Sequence, residues 1–133
     1  ILENITFNNP NISQEDLKWA IDSVQLGKYL KSLPEGLETK IRPEGQQLSS
    51  SNAQKILLAR NIITKPKILF LEEPFDKMDN ETANEMIDFL THKNNKWAIV
   101  ITSKNTYWEE KCNRIIEMSE GEIVNDLKKK HNA

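Results

Sequence analysis

Cysteine is almost missing: Cys112 is the only one in 133 residues. That excludes a disulfide framework and a cysteine-built zinc cluster, and it suits a reducing compartment. Glycine (4) and proline (5) are scarce and without period, which rules out collagen-like and low-complexity chains. Excess charge is lacking too. Against 18 basic side chains stand 20 acidic ones, a net charge of -2, so there is no electrostatic footprint for nucleic acid. No window approaches the ~18 consecutive apolar residues of a membrane-spanning helix. What remains, 38% hydrophobic and 29% charged, is the make-up of one soluble domain or part of one. A folded chain of this length buries roughly two thirds of the surface that its unfolded form exposes. The first residue is Ile1, and Ile1-Leu2-Glu3-Asn4-Ile5 reads as the inside of an element, so the chain is expected to be a piece of a longer one.

Ile5 to Phe7 is β-like and is closed by the turn formers Asn8-Asn9-Pro10-Asn11. Ser13 is placed to cap a helix with acids in its first turn, after which Leu17, Ala20, Ile21 and Val24 recur at helical spacing. Gly27 is expected to end that helix. A shorter helical piece through Tyr29, Leu30 and Leu33 leads into a loop running to Gly45. From about Ser50 to Thr64, Ala53, Ile56, Leu57, Ala59, Ile62 and Ile63 share one broad apolar face, opposite Lys55, Arg60 and Asn61; this is the clearest helix. Lys65-Pro66 stops it. Ile68-Leu69-Phe70-Leu71 then has the unbroken apolar pattern of a strand buried on both faces of a parallel sheet. A helix from about Asn80 to Leu90 and a second apolar run, Trp97 to Thr102, complete a right-handed βαβ unit. A short helix near Thr106 to Lys111 precedes a hairpin-like close from Arg114 to Val124. The basic stretch Lys128-Lys129-Lys130-His131 reads as a solvated end. The organisation is thus α/β, with residues 1–65 forming a helical subdomain, 66–126 part of an α/β core and 127–133 a tail.

Ligands of open parallel sheets bind beyond the carboxyl ends of the strands. Glu72 and Glu73 lie at such an end. Adjacent acids there point to different sides, so one can reach a cation while the other approaches water or substrate; the competing reading is two acids on a surface loop. The stretch from Gly45 through Ser49, Ser50, Ser51 and Asn52 opens the long helix. It either offers backbone N–H groups and hydroxyls to an anion or simply caps the helix. Ser103, after the second apolar run, could touch a ligand or sit in a loop. Cys112 reads as an inert packing residue. His92 and His131 lack partners at metal-ligand spacing, and no G-x-x-x-x-G-K-[ST] phosphate loop occurs.

Taken in order, these pieces resemble the C-terminal part of the nucleotide-binding domain of exporter-type ABC transporters, a P-loop NTPase fold. Leu2-Glu3-Asn4-Ile5 is similar to the "ENI" stretch after that family's Q-loop, and residues 33–39 to its "LP-G-T" segment. Residues 45–55 stand in the place of the signature motif LSGGQ-x-Q-R, residues 56–60 in that of its "ALAR" helix. Residues 67–74 match the Walker B strand with its "DEP" end, 75–79 the D-loop, 101–103 the switch-histidine strand and 112–121 the "CDRI-G" end.

The resemblance implies ATP and Mg²⁺ as cofactors and a head-to-tail pairing with a second nucleotide-binding domain, identical or paralogous. It also implies a transmembrane domain as partner, a place at the cytoplasmic face of the membrane, and no nucleic acid. By position, Glu73 would polarise the attacking water and Glu72 would help hold Mg²⁺. Ser49, Ser50, Ser51 and Asn52 would approach phosphate from the partner side, Asp79 would close the D-loop, and Ser103 stands where the family has histidine. Three departures stand out: Glu72 replaces Asp, Ser50-Ser51-Asn52 replace Gly-Gly-Gln, and Ser103 cannot supply an imidazole. A mispositioning of ~1 Å can cost about 100-fold in rate. The expectation is therefore a slow or degenerate ATPase in the longer parent and no ATP turnover by the chain alone; the competing expectation is a non-hydrolysing domain kept for dimerisation or regulation.

Overall fold

The computed structural model describes residues 1–45 and 47–129. The chain opens with three helices, α1 (Leu2–Thr6), α2 (Gln14–Ser23) and α3 (Gly27–Ser32), followed by 3₁₀ turns at Gly36–Glu38 and Pro43–Gly45 and by α4 (Ser50–Ile62). Then come β1 (Ile68–Glu72), α5 (Asn80–Leu90), β2 (Ala98–Thr102), α6 (Tyr107–Lys111), β3 (Arg114–Ser119) and β4 (Glu122–Lys128).

The β-like start is in fact helix α1. Ile1 and Ile5, one helical turn apart, are both buried (5% and 1% exposed), and the α4 residue Arg60 donates from Nε to the Asn4 carbonyl (2.5 Å) and from a terminal nitrogen to Asn4 Oδ1 (2.9 Å). Packing against α4 overrides the strand propensity of Ile5 and Thr6. In α2 the Ser13 hydroxyl accepts the Asp16 N–H at 3.0 Å, and Leu17, Ala20, Ile21 and Val24 are buried as their spacing predicts. Gly27 does not end this helix. The chain turns at Gln25 (φ +56°), where the Leu26 N–H reaches back to the Ile21 carbonyl (3.1 Å), and Gly27 begins α3. Complete burial of Leu26 offsets the left-handed conformation of a non-glycine residue.

Ser49 caps α4, accepting the Asn52 N–H at 3.2 Å. Ile56, Leu58, Ala59 and Ile62 are its buried residues, and Ile63 at its C-cap is buried too; Leu57, expected on the apolar face, is 48% exposed. β1 and β2 are parallel, with Leu69 opposite Ile99 and Glu72 opposite Thr102, and α5 crosses between them, burying Ala83, Met86, Ile87 and Leu90. Trp19 of α2, Phe89 of α5 and Trp97 pack with centroid distances of 6.1 to 6.4 Å, so one core runs from the first helices to the strands.

The expectation of strands buried on both faces fails on one of them. Leu69 is buried, whereas Ile68, Phe70 and Val100 are 51%, 75% and 53% exposed. Among the described residues, helices cover only one side of this two-stranded sheet. β3 and β4 form a separate antiparallel hairpin that continues through Lys128, two residues into the stretch read as tail, with Met118, Ile123 and Val124 exposed. Bare apolar strand faces with open edges favour association. Light scattering on the 133-residue chain at high concentration should therefore show dimers or larger species, and a strict monomer would contradict this account of the uncovered faces.

Candidate functional site

The site forms where β1 and β2 end. Glu72 is the last residue of β1 and is exposed. Glu73 follows with φ +38°, and its N–H donates to the Thr102 carbonyl (2.9 Å), extending the ladder one step. Its carboxylate Oε2 accepts the Lys104 N–H at 3.2 Å and the Ser103 hydroxyl at 3.4 Å. The Ser103 hydroxyl in turn accepts the Asn105 N–H at 3.1 Å. Parallel pairing thus brings together Glu73 and Ser103, which are thirty residues apart in sequence. The Lys104 N–H was missed from the sequence because a backbone donor leaves no side-chain signature. An open cleft of about 710 Å³ adjoins these groups, lined among others by Glu73, Asn80, Asn84, Ser103, Lys104 and Asn105.

The other expected site residues are not gathered there. Asp79 caps α5, accepting the Thr82 N–H at 2.9 Å, and that backbone hydrogen bond holds its carboxyl below the usual range. Ser49 is committed to its cap, and Ser50, Ser51 and Asn52 form the first turn of α4. Gln46 of the same stretch lies outside the described residues, as do Lys130 and His131.

Among the described residues no three His, Cys, Asp or Glu side chains gather into a metal site. Glu72, exposed and in no ion pair there, is suited only to a cation that takes most of its oxygens from a nucleotide and water, as Mg²⁺ usually does. Cys112 is half-buried and burial pushes its thiol up, in line with an inert residue. His92 accepts the Asn94 N–H (3.3 Å) within a turn.

Five aspartates sit below their ordinary range through specific partners: Asp16 through Lys65, Asp76 through Lys77, Asp79 through the Thr82 N–H, Asp88 through Lys111 and Asp126 through Arg114. A carboxylate with a depressed folded value contributes stability above its unfolded value, about 3.9, and loses it as pH falls through the folded one. Four of them are exposed and Asp16 is half-buried beside an exposed Lys65, so each share is small. The thermal midpoint should be flat between about pH 7 and 5 and decline below about pH 4; a midpoint that rises on acidification would contradict these pairings.

No family model matches the chain. A solved bacterial Atm1-family ABC exporter with ATP bound aligns with a TM-score of 0.85 over 94% of this chain and 22% of its own, at 17% identity. The fold is therefore that of part of an ABC-type α/β ATPase. Among curated proteins, an ABC-type transporter, kk1G, of Curvularia clavata is 35% identical over 107 residues, 78% of this chain and 8% of its own length. The glutathione/L-cysteine transport system ATP-binding/permease protein CydC of Bacillus subtilis is 31% identical over 121 residues (91% and 21%). The alpha-hemolysin translocation ATP-binding protein HlyB of Escherichia coli O157:H7 is 30% identical over 129 residues (95% and 18%). The chain belongs to the ABC transporter family and matches the C-terminal part of an exporter-type nucleotide-binding domain. It spans 8 to 21% of the length of these three relatives.

Proposed function

We propose that the chain is the later part of the ATP-binding domain of an ABC exporter, in which ATP binding and slow hydrolysis are coupled to export across a membrane. The observation that supports this best is the Glu73 carboxylate, fixed at the ends of two parallel strands by the Lys104 N–H and the Ser103 hydroxyl. A carboxylate so held has one oxygen oriented by donors and the other free to accept a proton from water, which is the geometry of a general base. Lys104 contributes through its backbone, so its side chain is not needed for that contact. Mg²⁺, when bound with nucleotide, supplies charge neutralisation at the phosphates, and Glu72 would be its protein ligand. Ser49 to Asn52 at the start of α4 would meet the nucleotide of a second nucleotide-binding domain, and Asp79 would set the end of the D-loop. A transmembrane domain would hold the pair at the cytoplasmic face of the membrane.

Slow turnover follows from the departures. Ser50 and Ser51 place side chains where backbone would approach phosphate, and Ser103 reaches Glu73 only over 3.4 Å. The Ser49 hydroxyl, already used as a cap, favours a second reading, a domain that binds nucleotide without hydrolysing it. ATP turnover by the longer polypeptide that joins this chain to a phosphate loop separates the two. The expected rate is measurable but about 100-fold below that of ABC exporters with intact motifs. An undiminished rate overturns the slow reading, and none above solvent background replaces it with the second.

A further inference from the structure

Gln54 lies in the second turn of α4, and its Nε2 donates to Asp76 Oδ1 across a gap of 22 residues at 2.7 Å. Asp76 belongs to the segment 73–79 between β1 and α5, which begins at Glu73 and ends at Asp79. That segment is anchored at three other points. The Glu73 N–H is fixed to Thr102, Phe75 is buried and stacks on Trp108 with centroids 6.2 Å apart, and Asp79 caps α5. None of these anchors reaches α4. Among the described residues the Gln54–Asp76 contact is the one side-chain hydrogen bond from α4 to this segment.

The other end of the Gln54 amide is unusual. Its Oε1 is buried and has no hydrogen-bond partner, which costs stability, so packing alone does not account for an amide at this position. Gln54 lines a cavity of about 230 Å³ together with Leu57, Leu58, Asn61, Glu72 and Glu73. Gln54 of α4 thus shares a cavity with the two strand-end carboxylates. Asp76 has a second partner, Lys77 at 3.1 Å, which keeps it ionised as an acceptor for Gln54.

We propose that Gln54 is a positioning residue: through Asp76 it couples the start of α4 to the segment carrying Glu73 and Asp79, so that a displacement at the Ser49 end of α4 is passed within one chain to the Glu73 carboxylate. The coupling is a property of the chain itself; its consequence for turnover rests on the function proposed above.

Hydrogen exchange followed by NMR on the 133-residue chain tests the coupling without nucleotide. The reporters are the Asp76 N–H, which donates to the Glu73 carbonyl, and the Met78 N–H, which donates to the Phe75 carbonyl. Gln54→Met keeps length and helix propensity while removing the donor. Exchange at both amides should rise about 5- to 10-fold, with the interior amides of α5 unchanged. Asp76→Ala, at an exposed position, should give the same rise, and the double variant no further one. Unchanged exchange at Met78 in both single variants overturns the proposal. In the longer, ATP-hydrolysing polypeptide, Gln54→Met should lower kcat about 5-fold with KM for ATP unaltered; an unchanged kcat overturns the link to turnover. A wild-type polypeptide with no turnover refutes the proposed function while the exchange result still decides the coupling.

Discussion

Glu73→Gln in the longer polypeptide should lower ATP turnover by about 100- to 10,000-fold, the range that loss of a general base produces, while leaving nucleotide affinity within about 2-fold. Glutamine matches glutamate in size and retains an oxygen that can accept the Lys104 N–H and the Ser103 hydroxyl, so the strand ends keep their geometry. It loses the capacity to take a proton. Turnover that falls less than about 10-fold would show that another group serves the water, and would remove Glu73 from the role proposed for it. Glu72→Gln is the matching control. Glu72 makes no hydrogen bond to the strand-end donors, so its effect should appear in the Mg²⁺ dependence and less in the rate at saturating metal.

Ile62→Ala should destabilise the chain by about 2–5 kcal/mol, as truncation of a fully buried aliphatic side chain does. Ile62 is wholly excluded from solvent in the last turn of α4, the helix that packs against α1 and α2. Domains of this size have only about 5–15 kcal/mol in all, and one sheet face here is uncovered, so the change should shift the urea midpoint sharply. The contrast lies five residues earlier in the same helix. Leu57→Ala, at a position 48% exposed, should change stability by about 0.5 kcal/mol. Equal costs at the two positions would mean that α4 is rotated from the orientation described.

Much of the local structure was legible from residue types. Ser13 followed by Glu15 and Asp16, and Ser49 followed by a helical apolar pattern, mark helix starts because a short hydroxyl side chain satisfies an otherwise unpaired N–H. Strand, helix and strand from Ile68 to Thr102 are recognisable from unbroken apolar runs around an amphipathic stretch, and the parallel pairing follows from the length of the connection. The strand-end acids were found for the same reason. The errors fall where packing outweighs local preference. α1 is helical because Ile1 and Ile5 find the side of α4, and no pattern in five residues reveals that partner. Gln25 takes the turn that Gly27 was expected to take because burying Leu26 compensates the strained backbone. Leu57 and Leu58 are equivalent in composition, and only the rotation of α4 against its neighbours decides which is buried.

The sequence by itself determined the family, the order of the elements from α2 onward and the placing of Glu72 and Glu73 at the end of a strand. These depend on motifs and periodicities that lie within a few residues of one another. Tertiary structure alone decided that Glu73 is oriented by Ser103 and the Lys104 N–H, and that Gln54 is bonded to Asp76. It also decided that Phe70 and Val100 stand on an open sheet face. Those relations join residues 22 to 31 positions apart, and such distances close only when parallel strands pair and helices dock on one side of them.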